Sequence, residues 1–368
     1  VTVRILTGDC LSILPTLEDK SVQTCVTSPP YFGLRDYGTA SWNGGDPECT
    51  HQKETRHQSQ GATSQRTGRA NVESQRSENV MQTCEQCGAV RVDKQIGLEA
   101  SPHEYVEKLV TVFREVRRVL KDDGTLWLNL GDSYANDGKW GGSTGGLHAS
   151  ELHGTSVGRT KRKTGLKPKD LIGIPWRVAF ALQDDGWYLR MDVIWSKLQP
   201  MPESVTDRPT RAHEYLFLLA KNERYFYDAA AIAERSVTGD RRRPYAPGQV
   251  DERGDGHDRG GGGIRQLDSA PLTRNKRSVW TIASEPFVGA HFAVMPSALV
   301  IPCILAGSRI GDVVLDPFGG SGTVGVVATE LGRHATLVEL NPKYVAIAEQ
   351  RTVQESLFAS SDRREEVG

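Results

Sequence analysis

The apolar positions of this chain fall into short runs, helical stripes and long stretches where they almost vanish. Residues 3–6 form a short apolar run that stops at Thr7-Gly8-Asp9, and residues 22–26 form a second that stops at Thr27-Ser28-Pro29-Pro30-Tyr31. Both have the length and branched side chains of buried strands. From about residue 42 to 95 the periodicity is lost among Gln, Ser, Thr, Arg and Glu, which marks an insertion. Order returns at Ser101, a good N-cap, with Pro102 at the first helical position and Glu104 completing a capping box. Val106, Leu109, Val110, Phe113, Val116 and Leu120 then recur at helical spacing, and Gly124 is expected to end the helix.

The pattern next predicts a strand over 125–130, a Gly-rich loop to about 169, a helix over 175–182, and strands over 189–195 and 215–220. Residues 236–275 are rich in Arg, Gly and Asp and have almost no core-forming side chains. A helix over 296–306, a strand over 313–315, a Gly-rich turn, a helix over 324–331, a strand over 335–339 and a helix from Pro342 complete the pattern. Strands alternating with helices predict an α/β fold, a doubly wound and mostly parallel sheet interrupted by two inserts.

Composition narrows the classes. With 368 residues, 38% hydrophobic and 25% charged, a buried core is feasible and wholesale disorder is excluded. No apolar run approaches the roughly 18 residues of a membrane span, and no basic-then-apolar leader pattern opens the chain, so a soluble intracellular (cytoplasmic) protein is expected. The net charge of −1 is uninformative, but its distribution is not. Basic residues cluster over 159–169, at Arg241, Arg242 and Arg243, and at Arg274, Lys276 and Arg277. Such clusters neutralise phosphates, or simply form solvated loops. Six cysteines are too sparse for a secreted disulfide scaffold. Cys10, Cys25 and Cys303 sit in apolar sequence and read as buried thiols, whereas Cys49, Cys84 and Cys87 sit in polar sequence.

The Gly-rich turn reads Asp316-Pro317-Phe318-Gly319-Gly320-Ser321-Gly322-Thr323. Gly320, Gly322 and Gly325 follow a Gly-x-Gly-x-x-Gly spacing between a strand and a helix, and Glu339 ends the next strand. Glycines there let the backbone approach a ligand, and an acid at the second strand end binds ribose hydroxyls. A tight turn without a ligand is the plain alternative, and a P-loop is excluded because no Gly-Lys-Ser/Thr follows. Dinucleotides and S-adenosylmethionine both present the required adenosine, and Asp316 suits the amino group of a methionine moiety.

Ser28-Pro29-Pro30-Tyr31 decides between them. The loop follows a strand, so it lies at the carboxyl edge of the sheet, where open α/β folds bind ligands. Two prolines fix the backbone and aim its carbonyls. The Ser28 hydroxyl and Pro29 carbonyl suit the two N–H groups of an exocyclic amine. Such bonds localise a lone pair otherwise delocalised into the base, readying it to attack a sulfonium methyl. Tyr31 offers a face on which an extruded base stacks. A proline-rich turn with a packed tyrosine is the plain alternative.

Together these motifs resemble the DNA amino-methyltransferases acting on cytosine N4 or adenine N6. The catalytic loop precedes the cofactor loop, which resembles the permuted beta-class order. The resemblance covers roughly residues 1–40, 96–235 and 278–352. It implies the S-adenosylmethionine-dependent methyltransferase fold, with Ser28, Pro29, Pro30 and Tyr31 holding a base flipped out of double-stranded DNA. It also implies that Asp316, Phe318, Gly320, Gly322, Thr323 and Glu339 bind S-adenosylmethionine, with Asp9 near its adenine. His291, in Ala290-His291-Phe292-Ala293-Val294-Met295-Pro296, resembles part of the segment that packs on the methionine end. The implied divisions are a catalytic part over 1–41, the polar insert 42–95, a continuation over 96–235, a target-recognition insert over 236–277, a cofactor-binding part over 278–353 and a disordered tail over 354–368. The recognition insert is short and glycine-rich, so it orders on DNA or shares the task with 42–95.

Serine at the start of the loop, where many adenine-N6 relatives carry Asp, favours cytosine N4 by resemblance, with adenine N6 the alternative. A nicotinamide-dependent oxidoreductase is a more distant alternative that leaves the Ser28–Tyr31 loop unexplained; a non-catalytic DNA-binding module leaves the adenosine site unexplained. Cys49, His51, Cys84 and Cys87 supply three thiolates and an imidazole for a structural Zn2+ site, with His57 competing for His51. A reduced cysteine pair in a loop is the plain alternative. A homodimer and a cognate restriction endonuclease are compatible partners.

Overall fold

The computed structural model describes residues 1–33, 37–50, 83–84, 86–135, 164–200, 202–236, 273–285 and 294–365. Its strands are β1 (Val3–Thr7), β2 (Val22–Thr27), β3 (Ser41–Asn43), β4 (Val90–Val92), β5 (Leu120–Leu130), β6 (Tyr188–Lys197), β7 (His213–Ala220), β8 (Glu234–Arg235), β9 (Thr273–Arg274), β10 (Val279–Ile282), β11 (Val313–Asp316) and β12 (His334–Glu339). The helices are α1 (Cys10–Ile13), α2 (Pro102–Val119), α3 (Ile174–Asp184), α4 (Ser297–Gly307), α5 (Thr323–Glu330) and α6 (Pro342–Glu365), and a 3-10 turn spans Leu14–Thr16.

Eight strands form one sheet in the order β1-β12-β11-β2-β5-β7-β6-β10. Its pairs are parallel except those of β7, which runs antiparallel to both β5 and β6. All six residues of β2 are buried, as befits a central strand covered on both faces. Cys25 points into a core shared with Leu109 and Phe113 of α2 and Val178 and Leu182 of α3. Its neighbour Val26 points to the other side, into a core with Leu299 and Cys303 of α4 and Val327 of α5. The period-two alternation of a strand thus divides the apolar residues between two layers.

Helix α2 begins as the sequence predicts. The Ser101 hydroxyl accepts the Glu104 amide at 3.2 Å, and the Glu104 carboxylate accepts the Ala100 amide at 3.3 Å. It ends earlier than predicted, at Val119, and Gly124 is no helix stop. Leu120 already pairs with Val22, and the register resumes only at Thr24 with Thr125, so residues 121–124 are extra residues within a bulged strand. Strand β10, two residues of which are exposed, has no counterpart in the predicted elements, and α6 continues past residue 353, where a tail was expected. The two inserts are closed at their bases by short antiparallel pairs, β3 with β4 and β8 with β9.

Cys10, Cys25 and Cys303 are buried free thiols, and burial pushes the Cys10 thiol up to about 12. In the third basic cluster, Arg274 and Arg277 both pair with Glu234 and Lys276 lies over the Trp280 ring, so two of its three charges are engaged by one carboxylate. Arg241, Arg242 and Arg243 lie outside the described residues. No helix among the described residues is long and apolar enough to cross a membrane.

Candidate active site

Strands β11 and β2 are neighbours, yet the chain leaves them in opposite directions, through α5 to β12 and through α2 to β5. Such a switch point opens a crevice at the carboxyl ends of the strands. Two side chains bridge it: the Thr27 hydroxyl donates to Asp316 Oδ1 at 2.6 Å, and the Phe318 amide donates to the same oxygen at 3.0 Å. Asp316 is buried, and burial, aided by the negative charge of Glu339, pushes its carboxyl up to about 7.

Glu339 closes the next strand. Its carboxylate accepts the Gly320 amide through Oε2 and the Asn341 amide through Oε1, each at 2.8 Å. Burial pushes this carboxyl up as well, against the pull of those amides. Gly322, the N-cap of α5, has φ +84, and a Cβ there would lie 2.8 Å from that of Ala348, so this turn requires glycine. The Thr323 hydroxyl lies 3.2 Å from Arg351 Nη1, which also donates to the Ser321 carbonyl at 2.8 Å. Asp9 caps α1 by accepting the Leu11 amide at 3.2 Å, and β1 is held beside β12 by the pairing of Thr7 with Glu339.

The Ser28–Tyr31 loop rests on a polar cluster that the sequence did not single out. The buried Asn129 of β5 donates from Nδ2 to the Tyr215 carbonyl at 3.1 Å and to Glu214 at 3.3 Å. Those acceptors turn its Oδ1 toward the loop, where Ser28 donates at 3.2 Å and the Tyr31 hydroxyl lies at 3.0 Å. Tyr31 also reaches Glu214 Oε2 at 2.6 Å, and Lys197 pairs with the other oxygen of Glu214. Burial first, and the Glu214 charge second, push the Tyr31 phenol well above its ordinary value, so it stays protonated. The Tyr31 ring packs so closely on Gly131 that a Cβ there would lie 2.4 Å from it. The Pro30 carbonyl accepts the Tyr105 hydroxyl at 2.9 Å, which pins the loop from below.

A single cleft of about 660 Å³ joins the two loops. Asp9, Ser28, Pro29, Pro30, Tyr31, Asp316, Phe318, Gly320, Thr323 and Glu339 all line it, as do Asn129, Lys197 and Glu214. Gly322 lies just behind, shaping the turn. His291 lies outside the described residues, but Val294 and Met295 of the same segment line the cleft. Another depression, of about 460 Å³ between α2 and α3, contains none of the motif residues. The sulfurs of Cys49, Cys84 and Cys87 gather away from the cleft lining, all within 4.8 Å of one another, while His51 and His57 lie outside the described residues.

A methyltransferase family model for N6 and N4 enzymes, described as DNA methylase, matches residues 22–350. The chain is 41% identical over 347 residues to the Type II methyltransferase M.Cfr9I of Citrobacter freundii, covering 94% of this chain and 85% of that protein. It is 40% identical over 352 residues to the Type II methyltransferase M.SmaI of Serratia marcescens, covering 95% and 91%. In fold it is similar to the cytosine-N4-specific PvuII DNA methyltransferase, with a TM-score of 0.54, 18% identity and coverage of 95% and 86%. A second similar fold is that of TTHA0409 from Thermus thermophilus complexed with S-adenosyl-L-methionine, with a TM-score of 0.51, 19% identity and coverage of 96% and 94%. With the family model spanning most of the chain and relatives matching nearly its whole length, this protein belongs to the N6/N4 DNA methylase family.

Proposed function

We propose that this DNA methylase moves the methyl group of S-adenosylmethionine onto the exocyclic N4 of a cytosine flipped out of double-stranded DNA. The observation that carries the reading is the meeting of two chemically different loops in one cleft. On one side stand the carboxylates Asp9, Asp316 and Glu339. On the other stand Ser28 and Asn129, both uncharged, with the Glu214 carboxylate behind them.

The cleft fits the cofactor. Its volume of about 660 Å³ lies in the range of ligand sites. Three acids suit a molecule bearing a sulfonium and an ammonium, and among the described residues only Oδ1 of Asp316 is bonded, which leaves Oδ2 for that ammonium. Glu339 orients the ribose hydroxyls while holding the Gly320 turn. S-adenosylmethionine would supply the methyl group as an electrophile on sulfur.

Ser28 gives its proton to Asn129, so its lone pairs are free to accept an amino N–H of the base. Drawing that hydrogen out of the conjugated plane localises the nitrogen lone pair. With Ser28 holding the amine, the cofactor would supply the methyl for the new N–C bond, the S–C electron pair staying on sulfur. The amine sheds one proton to Ser28 as the Ser28 hydroxyl turns its own proton from Asn129 to Tyr31, 3.5 Å away, and Tyr31 passes its proton to Glu214. The choice of cytosine rests on Ser28 at the head of the loop, through the family resemblance. The reading extends to a companion endonuclease of the same sequence specificity, because a methyl on this amino group protrudes into the major groove where bases are read.

Mass spectrometry of nucleosides from treated DNA tests the target. N4-methylcytosine is expected; N6-methyladenine without it would overturn the choice of base.

Asp316 adds a pH signature. Pairing with the cofactor ammonium requires the carboxylate, so affinity is expected to rise with pH through about 7, with proton release on binding. Calorimetry in two buffers of different ionisation heat reads this directly. Without ligand the sign reverses. The folded-state value lies above the roughly 3.9 of an unfolded Asp. Its contribution to stability is therefore full below about pH 4 and lost as pH rises through about 7. Asp316→Asn is accordingly expected to melt above the wild type at pH 8 while binding S-adenosylmethionine more weakly.

A further inference from the structure

We propose that Cys49, Cys84 and Cys87 hold one zinc ion, and that this ion fastens a wall of the cofactor cleft. The first part rests on sulfur geometry. Cys49 Sγ and Cys84 Sγ are 3.8 Å apart, and all three sulfurs lie within 4.8 Å of one another. Tetrahedral ligands at the Zn–S distance of about 2.3 Å stand about 3.8 Å apart, whereas a disulfide brings sulfurs to about 2.05 Å. The turn that carries two of the three cysteines is built around the site. The Gly88 amide donates to the Cys84 carbonyl at 2.8 Å, and the Cys84 amide to the Ala89 carbonyl at 2.7 Å. Backbone amides of Ala89 and Asp46 point at the Cys87 sulfur and hold it in place. Gly45 completes the cage: its φ is +74, and a Cβ there would lie 2.7 Å from Cys87 Sγ. The three thiolates carry the site.

The second part follows from what the insert touches. Strands β3 and β4 are three residues each, and between 41–50 and 83–92 only Cys84 and Ala89 are buried apolar residues among those described. A two-stranded pair this small is marginal without another restraint. Yet the chain entering and leaving it builds part of the active cleft. Tyr37, Thr39, Lys94, Gln95 and Ile96 line that cleft. The Tyr37 amide donates to Gln95 Oε1 at 2.7 Å, and Thr39 donates to Asp93 at 3.2 Å. The Gly33 amide donates to the Gly97 carbonyl at 2.9 Å, which ties the exit of the insert to the end of the Ser28–Tyr31 loop. Asn341, next to the Glu339 strand end, donates to the Tyr37 carbonyl at 3.3 Å. A metal that clamps Cys49 to Cys84 and Cys87 joins both arms of this stem, so its binding free energy orders the wall.

The coupling rests on the cleft binding S-adenosylmethionine. The test uses the full chain in three forms: as purified, stripped by a chelator, and stripped then resupplied with zinc. Elemental analysis gives the metal content, calorimetry the affinity for S-adenosylmethionine, and circular dichroism checks that the sheet persists. About one zinc per chain is expected. Stripping is expected to weaken cofactor binding by about 5- to 150-fold, as for two coupled sites, with recovery on resupply. Cys84→Ser and Cys87→Ser are expected to lose the metal and to behave like the stripped chain even with zinc added. Far less than one metal per chain in the purified protein would overturn the site. A folded, stripped chain that binds S-adenosylmethionine unchanged would overturn the coupling. A zinc-loaded wild type that binds none at all would instead refute the cofactor reading, and the coupling with it, while the metal count still judges the site.

Discussion

Glu339→Ala is expected to weaken S-adenosylmethionine binding by about 2–4 kcal/mol, the loss of one or two charged hydrogen bonds to the ribose. The side chain has a second task, since its two oxygens hold the Gly320 and Asn341 amides. Alanine frees both amides, so part of the loss arises from a looser turn. Glu339→Gln separates the two contributions. It keeps one oxygen acceptor, but its NH2 meets one of the two amide donors. A thermal melt of each variant without ligand reports the turn, and calorimetry reports the ribose. Unchanged affinity in a folded Glu339→Ala protein would remove Glu339 from the cofactor site.

Ser28→Ala is expected to lower the methylation rate by about 10²- to 10³-fold, the usual cost of losing a hydrogen bond that strengthens in the transition state. The affinity for S-adenosylmethionine is expected to hold, because the hydroxyl acts on the base and bonds to Asn129. Tyr31→Ala removes a stacking face worth about 1–3 kcal/mol per base. It also frees Glu214, which then keeps Lys197 and Asn129 as partners. Tyr31→Phe keeps the ring and loses only the hydroxyl, so it is expected to retain DNA binding and lose part of the rate. Single-turnover kinetics at saturating cofactor distinguish these outcomes, and unchanged rates in both Ser28→Ala and Tyr31→Ala would end the proposed mechanism.

The two loops were legible in the sequence because each has strict local requirements. A turn at φ +84 packed against Ala348 demands glycine at 322, and a rigid loop after a strand shows itself as Pro29-Pro30. Local demands of this kind survive without knowledge of the fold. The supporting cluster did not show, and the reason is strand direction. Glu214 stands near the start of β7, which ordinarily places a side chain at the amino edge of a parallel sheet. Because β7 runs antiparallel to its neighbours, its start lies at the carboxyl edge, beside Asn129 and Lys197. Pairing direction depends on contacts far along the chain, and periodicity is silent about it. One signal was available: Asn129 interrupts the apolar run Trp127-Leu128-Asn129-Leu130 at a strand end, where a buried amide needs partners. Gly124 misled for a related reason. It punctuates the chain as a helix stop would, but the Leu120 pairing with Val22 had already begun the strand.

We propose that the acidic loop and the Ser28 loop form one methyl-transfer site acting on a base amino group. Transfer of tritium from methyl-labelled S-adenosylmethionine into DNA, followed by nucleoside digestion, tests it most directly with wild type, Ser28→Ala and Glu339→Ala side by side. Wild type is expected to leave label on an exocyclic amino group, with N4-methylcytosine the labelled nucleoside. Ser28→Ala is expected to transfer little despite normal cofactor binding, and Glu339→Ala to recover only at high cofactor concentration. Label on a ring carbon, or full transfer by Ser28→Ala, would contradict a methyl-transfer site built on these two loops.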